Sequence, residues 1–118
     1  MNIRKHLPLN FPHIICLCGS TRFSDEFKKQ NLEETLVGNI VLSIGCDTKS
    51  DSDLLRLGKL TEEAKAELDE LHKRKIDLAD SILVLNVGGY IGNSTRSEIE
   101  YAKRTGKKIY YLEESLES

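Results

Sequence analysis

No stretch of the chain approaches the roughly 18 consecutive apolar residues that a membrane-spanning helix needs. The start, Met1 to Pro12, carries charges where a secretory signal would hold an apolar segment, so neither membrane insertion nor export is expected. An excess of one charge is also lacking: 17 Lys plus Arg face 19 Asp plus Glu, a formal net charge of −2. Domains that grip a nucleic-acid backbone ordinarily show a basic surplus, and no nucleic-acid partner is expected here. Cysteine is scarce, with Cys16, Cys18 and Cys46 the three present. They leave one over in any disulfide scheme and contain no Cys-x-x-Cys, which reads as reduced thiols in a cytoplasmic protein. Eight glycines and two prolines are too few for a low-complexity chain, and no internal repeat or interdomain linker is visible. What is present, 39% apolar and 31% charged residues, is the make-up of one globular domain spanning residues 1–118. A domain of this length buries roughly two-thirds of its unfolded surface, enough for a core without covalent staples.

The apolar runs set the expected architecture. His13-Ile14-Ile15-Cys16-Leu17-Cys18 predicts a strand buried on both faces, ended by Gly19-Ser20-Thr21. Ser24 is a candidate N-cap with Asp25 and Glu26 in the first turn, and the helix runs to about Val37 before Gly38 stops it. Ile40 to Ile44 predicts a second strand closed by Gly45. Residues 45–60 read as a long polar loop, of a length that inside a compact domain is more often functional than decorative. Its Asp47, Asp51 and Asp53 are by default a solvated face. Thr61 caps the next helix, which ends near Asp80 and turns Ala64, Leu68, Leu71 and Leu78 toward the sheet. Ser81 to Val87 is the third strand, a helix runs from Ser94 or Thr95 to Gly106, and Lys107 to Leu112 is the last strand. Residues 1–12 form an N-terminal extension. This alternation predicts a doubly wound α/β domain, flavodoxin- or Rossmann-like: right-handed crossovers in one parallel sheet of four to five strands, helices on both faces.

In such sheets ligands bind beyond the carboxyl ends of the strands, where the strand order reverses. Those ends carry Cys18-Gly19-Ser20-Thr21-Arg22-Phe23 and Asn86-Val87-Gly88-Gly89-Tyr90, two glycine-bearing turns that lead toward helix N-termini. Backbone amides and a positive dipole end suit an anion there, with Arg22 as a fixed cation. Either pair of glycines also serves simply to turn the chain. No Gly-x-Gly-x-x-Gly follows the first strand and no Gly-Lys pair follows Gly19-Ser20, which speaks against NAD and against a P-loop. Glu98 falls in the first turn of the last helix, where the dipole would keep it ionised. It borders Ile99 and Ala102 on the buried stripe, while Glu100 pairs with Arg104 on the wet face. Thr95-x-x-Glu98 equally fits a capping box.

Leu17-Cys18-Gly19-Ser20-Thr21-Arg22, Ala79-Asp80 before a buried strand, and Glu98-Ile99-Glu100-Tyr101-Ala102 together resemble the nucleoside 2-deoxyribosyltransferase superfamily. Within it, the 2′-deoxynucleoside 5′-phosphate N-hydrolases are the most similar branch, and the likeness runs over about residues 13 to 112. The resemblance implies a flavodoxin-like domain that cleaves N-glycosidic bonds without metal or organic cofactor, as a homodimer or larger assembly whose protomers complete each other's sites. It implies Glu98 as the nucleophile of a glycosyl-enzyme intermediate, resolved by water or by a second base. It gives phosphate binding to Gly19, Ser20 and Arg22, and a nucleoside 5′-monophosphate or nucleoside as the small-molecule partner. Gly88, Gly89 and Ser94 join these around phosphate and sugar; Phe23 and Tyr90 either stack on a base or cover the sheet edge. Two positions depart from the family. Glu100 stands where a glycine is usual, and His72 stands where the family's aspartate positions the sugar and protonates the leaving base.

His72 reads either as a replacement acid, able to work near neutral pH, or as a boundary residue beside Leu68 and Leu71. Asp69 and Asp77 flank it as substitutes, and Arg74 and Lys75 fall on the wet face. Cys16 and Cys18 share one face of the first strand and read as core packing; with Cys46 their spacing is not that of a zinc site. Two other functions compete. A Lonely Guy-type phosphoribohydrolase also has an early Cys-Gly-Ser, but Val87-Gly88-Gly89-Tyr90-Ile91-Gly92 lacks that family's Pro and tight Gly-Thr. A non-catalytic nucleotide-sensing module would use the same pocket without turnover.

Overall fold

The computed structural model describes residues 3–44 and 62–114. The polar loop expected at 45–60, with its aspartates and Cys46, and the Thr61 cap lie outside the described residues. The elements are β1 (Ile14–Cys18), α1 (Ser24–Leu36), β2 (Ile40–Leu42), α2 (Glu62–Leu78), β3 (Ser81–Val84), α3 (Asn93–Arg104) and β4 (Lys108–Tyr111). All four strands are parallel, in the order β2-β1-β3-β4. The chain leaves β1 toward one edge and β3 toward the other, so the crevice expected of a doubly wound sheet opens between these two central strands.

Period-two alternation divides β1 and β3 between two cores. Ile14, Cys16, Cys18, Ile82 and Val84 face α2 and α3, where they meet Ile76, Ala79, Ile99 and Ala102. Ile15, Leu17, Leu83 and Leu85 face α1, which contributes Phe27. Burial on both faces is why these strands are continuously apolar. Among the described residues no helix is long and apolar enough to cross a membrane.

The structure moves several expected boundaries and faces. β2 ends at Leu42 rather than Ile44, and β3 ends at Val84 rather than Val87. After Val84 the chain makes one more link, Leu85 N–H to Cys18 O at 2.8 Å. Asn86 then exchanges hydrogen bonds with the backbone of Glu113, accepting at 2.9 Å and donating at 3.0 Å, which turns the chain out of the sheet. The leucines of α2 do not face the sheet: Leu68, Leu71 and Leu78 are exposed, and the buried residues are His72 and Ile76. Three residues after Ile76, Ala79 continues that line, so the helix seats its narrow side on the sheet and turns its leucines outward. Lys75 is not on a wet face either; it donates to Ser43 O at 2.6 Å. Glu100 pairs with Lys103, not Arg104, whose guanidinium lies 5.8 Å from the Tyr101 ring.

The N-terminal extension is tied down. Arg4 donates to both carboxylate oxygens of Asp80 and to the carbonyls of Phe11 and Pro12. Asp80 in turn accepts from Ile14 N–H at 2.8 Å. One carboxylate thus joins the extension to the amino ends of β1 and β3, while Ile3, Leu7 and Phe11 lie against the α2/α3 core.

Candidate functional site

A cavity of about 330 Å³ opens at the carboxyl ends of the central strands. The turn after β1 supplies Gly19, Ser20 and Thr21; α2 supplies Lys65, Leu68, Asp69, Leu71, His72 and Lys75; the approach to α3 and its first turns supply Tyr90, Gly92, Asn93, Ser94, Thr95 and Glu98. Gly19 suits a close approach: a Cβ there would stand 3.1 Å from Leu85 Cβ, tighter than most side-chain contacts. α3 begins at Asn93 behind Gly92, which offers no side-chain cap. The first amides of a helix have no intrahelical acceptor, and at α3 they belong to Asn93, Ser94 and Thr95, all on the cavity wall.

Of the residues expected to form a site, Gly19, Ser20, His72, Tyr90, Ser94 and Glu98 line this cavity. Arg22 and Phe23 stand behind Tyr90 instead: the Arg22 guanidinium is 4.1 Å from its ring centre and the Phe23 ring meets it edge-on at 5.9 Å. They hold the tyrosine at the rim. Gly88 and Gly89 do not line it; with φ of 63° and 83° they form the exit turn from β3, and the Gly88 amide donates to the Glu113 carboxylate at 2.9 Å. Of the two flanking aspartates, Asp69 lines the cavity, whereas Asp77 accepts a hydrogen bond from Tyr101 and pairs with Arg74.

Glu98 lies in the second turn of α3, not the first, so no capping box with Thr95 forms and the helix dipole does not govern its charge. Its surroundings do. Burial pushes the Glu98 carboxyl up to about 7, against the pull of His72, and the charges of Cys16 and Asp69 add to the rise. Burial, working against ionisation, and not the helix dipole sets the charge of this carboxyl. His72 Nε2 is 3.9 Å from Glu98 Oε1. Burial works against the His72 imidazolium, but its hydrogen bond with Cys16 and the charges of Cys16 and Glu98 outweigh that and raise its pKa.

The same Nε2 faces two sulfurs, Cys18 Sγ at 3.5 Å and Cys16 Sγ at 3.6 Å. Cys16 is held below the ordinary thiol range, first by its hydrogen bond with Cys18, while that bond and burial push Cys18 well up. His72 and Glu98 thus line the cavity over two fully buried cysteines, Cys16 and Cys18, and the four form one buried polar cluster. Sequence reasoning assigned both cysteines to packing. The signal that would have found them is parity: residues 16 and 18 share a strand face, and that face is the one α2 covers with its histidine.

Protein-family models, curated proteins and solved structures, each compared with this chain, give no match.

Proposed function

We propose that the protein cleaves, or transfers across, the N-glycosidic bond of a nucleoside 5′-monophosphate or nucleoside, with Glu98 as nucleophile. The observation that carries this reading is the position of Glu98 beside His72, on the floor of a cavity whose walls are the β1 turn and the first amides of α3. A phosphate suits those amides and the Gly19-Ser20 turn, and the ring of Tyr90 at the rim suits a base. Attack of a Glu98 oxygen on C1′ forms a carbon–oxygen bond as the carbon–nitrogen bond breaks; the base leaves with the bonding pair and takes up a proton. Water then opens the ester and restores Glu98, or a second base accepts the sugar.

The sequence reading gave the departing base's proton to His72. Its Nε2 is engaged with two thiols and with Glu98, which suits His72 better as the counter-charge that makes a buried carboxylate usable. Asp69, one turn earlier and on the cavity wall, is then the better placed proton donor.

The experiment is an incubation with ribo- and deoxyribonucleoside 5′-monophosphates, with free base read by chromatography, beside Glu98→Gln. Base released by the wild-type protein and not by the variant is the expected result. A nucleotide that raises the melting temperature of both proteins without release would replace the enzyme with a sensing module.

A further inference from the structure

We propose that Cys16, Cys18 and His72 form a binding site for one zinc-class divalent cation, with Glu98 as the fourth ligand from the cavity side. The inference stands apart from the glycosidic reading, because it concerns what the four side chains bind and not what the cavity turns over.

The geometry is built by the fold. A Cys-x-Cys pair on a strand points both sulfurs to one face, and the helix over that face presents His72 from its buried side. The three donor atoms all lie within 4.8 Å of one another. Tetrahedral zinc, with Zn–S of about 2.3 Å and Zn–N of about 2.0–2.1 Å, sets sulfur and nitrogen roughly 3.5 Å apart. The Sγ–Nε2 distances of 3.5 and 3.6 Å are those of such an edge. Zinc ligands of the nitrogen and oxygen type stand about 3.3 Å apart on the same bond lengths. Glu98 Oε1 stands 3.9 Å from Nε2, on the edge of the three-donor cluster, and its side chain would swing inward to take the fourth position.

The donor set has the softness that selects zinc over calcium or magnesium: two sulfurs, an imidazole and one carboxylate. Both cysteines are free and fully buried, so they are fixed by packing on every other side. His72 and Glu98 line the cavity, which supplies the entry path. On binding, every proton held on the two sulfurs, on His72 Nε2 and on Glu98 passes to solvent, leaving two thiolates, a neutral imidazole and a carboxylate as an S₂NO shell around the ion.

A consequence follows for the proposed chemistry. An ion held here engages the Glu98 carboxylate, so zinc-loaded protein would not release base, and chelation would restore release.

The test is cobalt(II) titration of the reduced, chelator-treated full-length protein, followed by displacement with zinc. The expected result is one equivalent bound, with a thiolate-to-cobalt charge-transfer band and the visible bands of a tetrahedral ion, both erased by zinc. The charge-transfer band is lost in Cys16→Ala and in Cys18→Ala and retained in Cys46→Ala. Circular dichroism of each variant checks that it is folded, and the wild-type titration decides the matter without any variant. Folded, reduced wild-type protein with no charge-transfer band overturns the site. So does a band that survives in the double variant Cys16→Ala/Cys18→Ala. Because binding is read by absorbance, a protein that binds cobalt but releases no base loses the glycosidic reading and keeps this one.

Discussion

Two carboxylates at opposite ends of the sheet are handled in opposite ways. Asp80, at the amino ends of β1 and β3, accepts from Arg4 on both oxygens and from Ile14 N–H. The Arg4 hydrogen bonds, more than burial opposes them, hold its carboxyl below the ordinary range. Glu98, at the carboxyl ends, is more deeply enclosed and has an imidazole 3.9 Å away in place of a guanidinium fork. Its carboxyl is pushed up to about 7 by burial. A satisfied carboxylate anchors chain segments and has no charge to lend. A buried one that faces an imidazole and thiols in place of a guanidinium is costly to keep charged, and that cost is the ordinary mark of a site. The contrast separates the architectural end of the domain from the chemical end.

The largest expected effect is at the chemical end. His72→Leu keeps volume but removes the imidazole that faces Glu98, leaving a buried carboxyl beside two thiols. Breaking a buried pair from one side costs about 3–5 kcal/mol. Urea unfolding at neutral pH in the presence of a chelator should show a loss near the lower figure, because Glu98 can take up a proton. Adding Glu98→Gln to His72→Leu should recover more than half of it. If the two losses simply add, the imidazole and the carboxyl are not coupled, and the proposed role of His72 fails.

A smaller effect is expected at Asp80, and it has a pH signature. Its folded pKa lies below the ordinary carboxylate value, so the stability it lends is fully present above about pH 4 and is lost as pH falls through the lowered value. Thermal melts of the wild-type protein should therefore decline on the acid side of pH 4. Asp80→Asn should start lower at neutral pH and decline less over that window, since the Arg4 pairing is already gone. A variant with an unchanged acid limb would show that the clamp on the N-terminal extension carries no net stability.

The difference between the two ends also explains what was legible in the sequence. The strands and their order of appearance were readable because both faces of β1 and β3 are buried, which leaves continuous apolar runs such as Ile14-Ile15-Cys16-Leu17-Cys18. The cavity walls were readable at Gly19, Ser20 and Ser94, since turn chemistry is local. The face of α2 was not. Leu68, Leu71 and Leu78 keep helical spacing, yet the helix rests on His72 and Ile76. Periodicity finds a stripe but does not say whether sheet or cavity takes it, and Leu68 and Leu71 line the cavity. Nor was the Arg4–Asp80 clamp visible, because it joins residues 76 apart through a shared sheet end. The environment of Glu98 was misread for a similar reason: a shift of one or two residues in the start of α3 is within ordinary uncertainty, but it moves a side chain out of reach of the helix dipole.

The smallest expected effect on stability is the sharpest test of the comparison. Glu98→Gln preserves shape and removes the charge. An architectural carboxylate would leave its partners stranded when altered, and the fold would lose several kcal/mol, as buried pairs broken from one side do. A carboxyl kept against its own desolvation behaves otherwise: replacing it with an amide removes a group that burial penalises. Urea unfolding of metal-free Glu98→Gln at pH 8 should give a stability within about 1 kcal/mol of the wild type, or above it, since one lost hydrogen bond is offset by one charge no longer buried. At pH 5, where the wild-type carboxyl is largely protonated, that offset shrinks and the variant should compare less favourably. A loss larger at pH 8 than at pH 5 would place Glu98 with Asp80 among the anchors of the fold, and the nucleophile would have to be sought elsewhere on the cavity wall, with Asp69 the first candidate.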